Sequence, residues 1–470
     1  MQEDRKKLRE FEIENLREEF QKNPTLFNQR TVNATTEMLK KIGISVPFFD
    51  QLPIGYLKLF PQDFIVEEEG KFKEISSVVD TQTEGSIKNT QGGETVYATL
   101  VKCNTSTFEA IEDIAGQLHA PSDAVQYAGI KDKNAITSQQ ISIRKKSLEE
   151  VKKVNSSYFF LKDFEVGNGV VEIGGLSGNW FTILIRTDQS FNPDAFLEKI
   201  NKLERNGFYN FYYVQRFGTP RLIAHTLGAL LLQGKYKEAV ETMLFYPSEF
   251  ELNYFQQLRE KLGKEKGNWG LLEREYGKYP LMFFHELSLV SYLKKKPHDY
   301  VGALLSMKNQ VQMWIYAFSS LLFNQKLSVY AQDEESVPAE IPLVSSDRAL
   351  DIEHYRSELE AYHLYPFSRE RTKPFPFIRF IRRMVRAREA VKIEKAVIID
   401  EGVVMRFFLP KGAYATTFLS HVFQLVSGVP PAEIKTQEVD IMKALHKESL
   451  EKIISYFQPI ISSKADSICE

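Results

Sequence analysis

The stretch "YAGIKDKNAITSQQ" (127–140) holds one carboxylate, Asp132, between two cations, Lys131 and Lys133. Nearby positive charge favours the ionised form of a carboxyl group. An ionised carboxylate can attack a carbon centre or accept a proton. It is poorly suited to donating one. Asp132 is therefore a candidate nucleophile or base, although a solvated surface turn has the same composition and charge pattern alone favours that reading.

Three other stretches carry chemistry-bearing side chains. In "FYNFYYVQRFG" (208–218) aromatic residues surround Asn210, Gln215 and Arg216. Aromatic faces beside amide and guanidinium donors can hold a flat base and read its edge. A strand in an aromatic core explains the stretch equally well. In "LPKGAYATTFL" (409–419), Pro410 and Gly412 make a turn that delivers Tyr414 at the end of a strand. In "LKLFPQDFIVEEE" (57–69), Lys58 precedes a turn marked by Pro61. A buried loop tyrosine and a solvated lysine are the ordinary explanations for these two.

Other chemistries lack their residues. There is no G-x-x-x-x-G-K-[ST] phosphate loop, no H-E-x-x-H pair and no G-x-S-x-G elbow. The eight histidines are scattered, and neither Cys103 nor Cys469 has a close partner. The expectation is a reaction that uses no metal and no organic cofactor.

The elements that must position these residues can be read from periodicity. Residues 55–69 suggest a strand, a proline turn and a second strand. "ETVYATLVKCN" suggests a strand with Val96, Ala98 and Leu100 on one side. Ser106 and Glu109 have capping-box spacing, and Phe108, Ile111, Ile114 and Leu118 follow at helical intervals. "AVQYAG" and "SQQISIR" are short β-prone runs, so Asp132 lies on a connection between two strands. "NWFTILIR" (179–186) is a further strand. Residues 311–327 form the strongest buried-helix pattern, and strand character returns in "KAVIID" and "VVMRFFLP". Residues 75–94 read as a polar loop and the tail after 430 as helical and polar. The first 45 residues read as a docking helix with Leu8, Phe11, Ile13, Leu16 and Phe20 on one stripe.

A chain of 470 residues suggests two or three domains, and 43% hydrophobic with 26% charged residues is ordinary for a globular protein. No window approaches the roughly 20 apolar residues of a membrane span. Two distant cysteines fit a reducing cytoplasm. A net charge of −2 gives no global support for nucleic-acid binding. Only local clusters could give it, and a solvated helix face with buried phenylalanines explains either of the two clusters equally well. Lys131 to Lys153 has seven bases against three acids, and "RERTKPFPFIRFIRRMVRAR" (369–388) has eight against one, interleaved with Phe375, Phe377 and Phe380. Such stretches can contact phosphates and stack on unpaired bases.

Jointly and in order, these stretches resemble the TruD family of RNA pseudouridine synthases. Lys58, Pro61, Asp63 and Phe64 resemble its K-x-x-P-x-D-F element. Residues 103–144 resemble its central signature with the G-x-K-D-x-x-A-x-T-x-Q core. "GGLSGNWFTILIR", "NFYYVQRFG", "RLIAHTLGALLLQGKYKEAV", "SSLLFNQKL" and "LPKGAYATTFL" follow as further motifs. The resemblance runs from about Lys58 to Phe418.

The resemblance implies an α+β fold. A pseudouridine synthase catalytic domain, with a mixed, mostly antiparallel sheet and flanking helices, is interrupted by an α/β insertion. The implied divisions are an N-terminal helical extension (1–45), the first part of the catalytic domain (46–234), the insertion (235–388), the last part of the catalytic domain (389–430) and a helical tail (431–470). The implied reaction turns uridine into pseudouridine in RNA, foremost tRNA at uridine 13 of the D-arm. The family's catalytic aspartate falls on Asp132, which either attacks C1′ or takes a proton on a glycal route. Lys58 would keep it ionised. Asn210 would bond near the aspartate loop or the uracil edge. Tyr212 and Tyr414 would sandwich the flipped base, and Lys131, Lys133, Gln215 and Arg216 would contact RNA.

Tyr212 stands where the family usually has phenylalanine, so its hydroxyl could stack, hydrogen-bond or act as a base. Tyr213 and Val214 replace a glycine and a small or polar residue. They are the features that favour an alternative, an inactive RNA-binding or RNA-folding protein on the same fold. A monomer, with no membrane, metal or cofactor partner, completes the expectation.

Overall fold

The computed structural model describes residues 2–27, 31–46, 52–79, 93–344, 348–379 and 381–463. Its contacts divide the chain into two units. One comprises Gln51–Phe208 and Glu389–Ser467, and the other Met1–Asp50, Tyr209–Arg388 and Ile468–Glu470. The first contains a large sheet, and the second is mainly helical. Among the described residues no helix is long and apolar enough to cross a membrane.

The strand Leu176–Arg186 organises the sheet unit. Side chains alternate along a strand, so Phe181, Ile183 and Ile185 face one side and Trp180, Thr182, Leu184 and Arg186 the other. All of these residues are buried, so both faces are covered. The strand runs antiparallel to Phe64–Gly70, with Phe64 opposite Ile183, and to Gly402–Pro410, with Val403 opposite Ile185. Ile136–Arg144 adds parallel to Phe64–Gly70 and antiparallel to Thr95–Cys103, which pairs in turn with Phe159–Gly167. Lys392–Ile399 pairs with Gly402–Pro410. Gln424–Gly428 pairs parallel with Ile54–Leu57. The result is the expected mixed, mostly antiparallel sheet.

Each face has its own cover. The helix Thr107–Gln117, closed at its start by the Ser106–Glu109 capping box, packs Ile111 and Ile114 on Val96, Ala98, Leu100, Ile141 and Ile143. Phe108 departs from the expected stripe and is 53% exposed, edge-on to Tyr127. The opposite face carries Ile65, Val101, Cys103, Ile136, Leu184 and Val404. It is covered by the chain's last helices, Ile441–Ala444 and Glu451–Phe457. The tail therefore differs from the polar helix expected of it. Ile441, Met442, Leu445, Leu450, Ile453 and Phe457 are all buried on the sheet. Their spacing puts them on one side of two short helices, and an average over the polar residues between them hides that side.

In the helical unit, Lys308–Tyr330 is the buried helix its pattern suggests, and Ala224–Leu232 packs against it. Gly228 permits the close approach, since a Cβ there would lie 2.1 Å from the Trp314 carbonyl oxygen. The N-terminal helix Gln2–Lys22 is held in part through polar contacts. The Glu12 carboxylate accepts from the Leu281 and Met282 amides, and Asn15 donates to the Lys278 carbonyl. Leu16 is buried, but Leu8 and Phe11 are 41% and 46% exposed. Contacts thus group the N-terminal residues with the helical stretch and place the break between the two units at Phe208/Tyr209.

Candidate active site

Two strands, Ile54–Leu57 and Phe64–Gly70, lie along the same neighbour, Leu176–Arg186. Lys58 to Asp63 leave the ladder between them as a turn. Lys58 adopts φ +61°, a left-handed conformation that costs a non-glycine residue about 1–2 kcal/mol. The turn is tied down by Asp63. Its carboxylate accepts from the Phe60 amide (3.2 Å) and from two nitrogens of Arg186 (both 3.0 Å). Arg186 also donates to the carbonyls of Lys435 (2.8 Å) and Gln437 (2.9 Å). This pair lies on the tail side of the sheet. Lys58 emerges on the other side, with its ammonium 3.9 Å from the centre of the Phe64 ring.

Asp132 lies on the connection between Val125–Tyr127 and Ile136–Arg144, which pair antiparallel. The Lys58 ammonium meets its Oδ1 at 2.6 Å. Buried polar groups fix the rest of the connection. Lys102 is fully buried and donates to the carbonyls of Asp132 (2.6 Å) and Thr105 (2.9 Å), with that of Lys131 at 3.5 Å. The Lys131 amide donates to Thr107 Oγ1, which meets Gln139 Oε1, and Gln139 donates to the Gly129 carbonyl.

Lys131 is a correction to the sequence reading. Its side chain is 3% exposed and paired with Glu68 at 2.5 Å, so it is turned inward, away from any phosphate at the surface. An unpaired charge buried there would be costly, and Glu68 on the adjacent strand supplies the partner. Lys133 does reach the surface, 43% exposed and 3.6 Å from Glu109.

The Asp132 side chain remains 42% exposed, yet protein crowds around it. Desolvation pushes its carboxyl up. The charge and hydrogen bond of Lys58, with Lys102 behind, more than offset that and hold it below the ordinary carboxylate range. Burial draws Lys102 down to about 7, against the pull of Asp132. Burial likewise pushes the Cys103 thiol up to about 12, which leaves it a poor nucleophile. The arrangement offers one accessible, ionised carboxylate held by cations.

The remaining residues fall into two groups. Tyr414 belongs to the sheet unit. It follows the Gly412 turn, precedes the helix Ala415–Ser420 and is 51% exposed. Asn210, Tyr212, Gln215 and Arg216 belong to the helical unit. Asn210 donates its amide to the Ala387 carbonyl (2.9 Å) and its side chain to that of Arg386 (3.2 Å). Tyr212 is held by Asn324, which accepts from its amide (2.9 Å) and donates to its carbonyl (2.8 Å) and to that of Ile42 (2.8 Å). The Tyr212 ring meets Phe323 edge-on, and the Arg216 guanidinium lies 5.1 Å from its centre. The S-x-x-F-N motif thus serves this segment as a clamp. Gln215 is exposed, while Tyr213 and Val214 are buried. In the second basic cluster, Arg379, Arg382, Arg383 and Arg386 are exposed beside Ile381, Phe375 is buried, and Phe380 lies outside the described residues.

Sequence reasoning missed Lys102 and Asn324. A single lysine inside "ATLVKC" was the available signal for Lys102, since a fully buried strand position is costly for an ammonium without partners.

Comparison with known proteins bears on the family. The family model described as tRNA pseudouridine synthase D (TruD) matches residues 41–351. A Methanocaldococcus jannaschii protein named "Probable tRNA pseudouridine synthase D 1" is 29% identical, over 78% of this chain and 94% of its own. A Pyrococcus furiosus protein named "Probable tRNA pseudouridine synthase D" is 28% identical, over 79% and 95%. A crystal structure from Methanosarcina mazei, assigned to tRNA pseudouridine synthase D (TruD), superposes with a TM-score of 0.61 at 22% identity. It covers 83% of this chain and 98% of its own.

Proposed function

The chain belongs to the TruD family of tRNA pseudouridine synthases, and from that premise we propose that it isomerises a uridine of tRNA, uridine 13 of the D-arm foremost, with Asp132 as its catalytic residue. The C1′–N1 bond breaks, the uracil turns, and C5 bonds to C1′. The proton that leaves C5 is matched by one gained at N1, so the reaction consumes no co-reactant. Asp132 serves either as the nucleophile at C1′ or as the base on a glycal route. Both need an ionised carboxylate within about 3.5 Å of the sugar.

The observation that carries this reading is the Lys58–Asp132 pair. The carboxylate is open to a ligand and held ionised by a cation that is itself fixed in a strained turn. Tyr414, half exposed, would stack on the flipped base. Lys133, Gln215 and Arg216 would contact RNA, and Lys131 is withdrawn from that role. Tyr213 and Val214, which favoured a non-catalytic RNA-binding protein, are both buried.

The test is pseudouridine mapping on unmodified total tRNA, treated with wild type or Asp132→Ala in EDTA and without added cofactor. Product from wild type alone is expected, and its position names the target uridine. No product from a wild type that still binds the RNA would overturn the reading. Phosphate contacts also require binding to weaken steeply with salt.

A further inference from the structure

We propose that Lys102 is a positioning residue for Asp132: its buried ammonium ties the carbonyls of Thr105, Lys131 and Asp132 together and so fixes where the Asp132 carboxylate stands. The proposal rests on the reading of Asp132 as the catalytic residue.

The geometry is that of a clamp across elements. Lys102 lies near the end of the strand Thr95–Cys103, opposite Thr137. Thr137 lies opposite Val66, and Val66 opposite Phe181. Paired residues share a face, so Lys102 is on the same side of the sheet as Phe64 and Lys58. From there it reaches two connections. One is the turn that leads into the helix Thr107–Gln117, through the Thr105 carbonyl. The other is the Asp132 loop, through two consecutive carbonyls.

An ammonium has three donors, and three carbonyl oxygens stand around this one at 2.6, 2.9 and 3.5 Å. Nearby Lys131 shows the usual arrangement of a buried lysine, paired to a carboxylate side chain, Glu68. Lys102 instead donates to backbone, so its work is to hold a main-chain path. Asp132 is part of that path. Displacing a reacting group by about 1 Å can cost about 100-fold in rate.

The clamp depends on charge. A neutral amine keeps two N–H donors and turns a lone pair toward a carbonyl oxygen, which repels it. The titratable groups around Lys102 are Asp132, which favours its charged form, Lys131 and Lys58, which oppose it, and the Cys103 thiol. Burial brings the ammonium down to about 7, so its proton is lost within a range where enzymes are assayed.

The experiment compares wild type with Lys102→Met on the unmodified tRNA that wild type modifies. It reads KM, kcat and the pH dependence of kcat from 6 to 9, with RNA binding measured alongside. Lys102→Met should keep KM within about threefold and lose about 100-fold in kcat. Wild-type kcat should fall on an alkaline limb that the variant lacks. Equal kcat and equal pH profiles would overturn the proposal and leave the functional reading standing. If Lys102→Met does not fold, the wild-type profile decides: a falling limb supports the clamp, and a flat profile overturns it. No product from wild type would overturn both.

Discussion

Asp63 and Asp132 each face a cation, and a single turn takes part in both pairs. Asp63 closes the turn and meets Arg186; Lys58 opens it and meets Asp132. The Asp63 pair is 0% exposed on both sides, whereas Asp132 is 42% and Lys58 19% exposed. At Asp63, desolvation leaves the carboxyl above its ordinary range in spite of the guanidinium. At Asp132 the cations outweigh desolvation and the carboxyl lies below it. The difference is geometric. Arg186 engages both oxygens of Asp63 and donates two further bonds to the tail, and the pair is fully buried, so it is closed to a ligand. Lys58 meets one oxygen of Asp132 and leaves the carboxylate open. One turn therefore supplies a fastener on one face of the sheet and, on the other, the partner of the carboxylate proposed to be catalytic.

Substitutions can break this contrast from either side. Asp132→Ala should lower turnover by at least about 10,000-fold. Its melting temperature should move by no more than about 3 °C, because a partly exposed pair contributes little to stability. Thermal unfolding and product formation on one preparation would check both. Asp63→Ala should do the reverse. It strands a buried guanidinium, which costs about 3–5 kcal/mol, visible in urea or thermal unfolding. A normal melt for Asp63→Ala would remove the structural half of the comparison.

Lys58→Met sharpens the other half. Lys58 favours ionised Asp132, so without it the acid limb of kcat/KM should move to higher pH, with neutral turnover down about 10- to 100-fold. The stability that the pair contributes has the same sign. It is present above the unfolded carboxyl's pKa and is lost as pH falls through the lowered pKa of Asp132. An unmoved acid limb would mean that Lys58 does not set the charge of Asp132. The smallest effect belongs to Tyr212→Phe. Its ring contacts, Phe323 and Arg216, do not need a hydroxyl, and turnover should change less than about threefold. A drop of about 100-fold or more would assign that hydroxyl the role of a base.

Much of the sheet unit was legible because its signals are local. Ser106 and Glu109 mark a helix start by spacing alone, and alternation in "NWFTILIR" marks a strand wherever it lies. Asp132 stood out for its setting between cations, and the K-x-x-P-x-D-F element supplied its partner. What stayed hidden depends on cover. Lys131 and Lys133 flank the same carboxylate and look alike in sequence, yet Glu68 draws one inward while the other reaches the surface. Glu68 lies within a run of three acids, Glu67 to Glu69, whose burial the sequence does not reveal. Lys102 is concealed for the same reason, since its partners are backbone oxygens that no side-chain pattern announces. Periodicity tells which side of an element is apolar. It does not tell which distant segment arrives on it, as the tail does behind Leu184.

That arrival has a consequence for how the protein is made. Arg186 waits for carbonyls 249 and 251 residues further along the chain, and the stretch Tyr209–Arg388 is translated in between. At about 5–20 residues per second, that stretch alone takes roughly ten to forty seconds. During that time the strands already made lack Gly402–Pro410 and the covering tail. Their apolar face is open to chaperones, or to a second nascent chain. The helical stretch can close on local contacts much sooner. The fastener at Asp63 is thus among the last joints to be completed, although half of it is synthesised early.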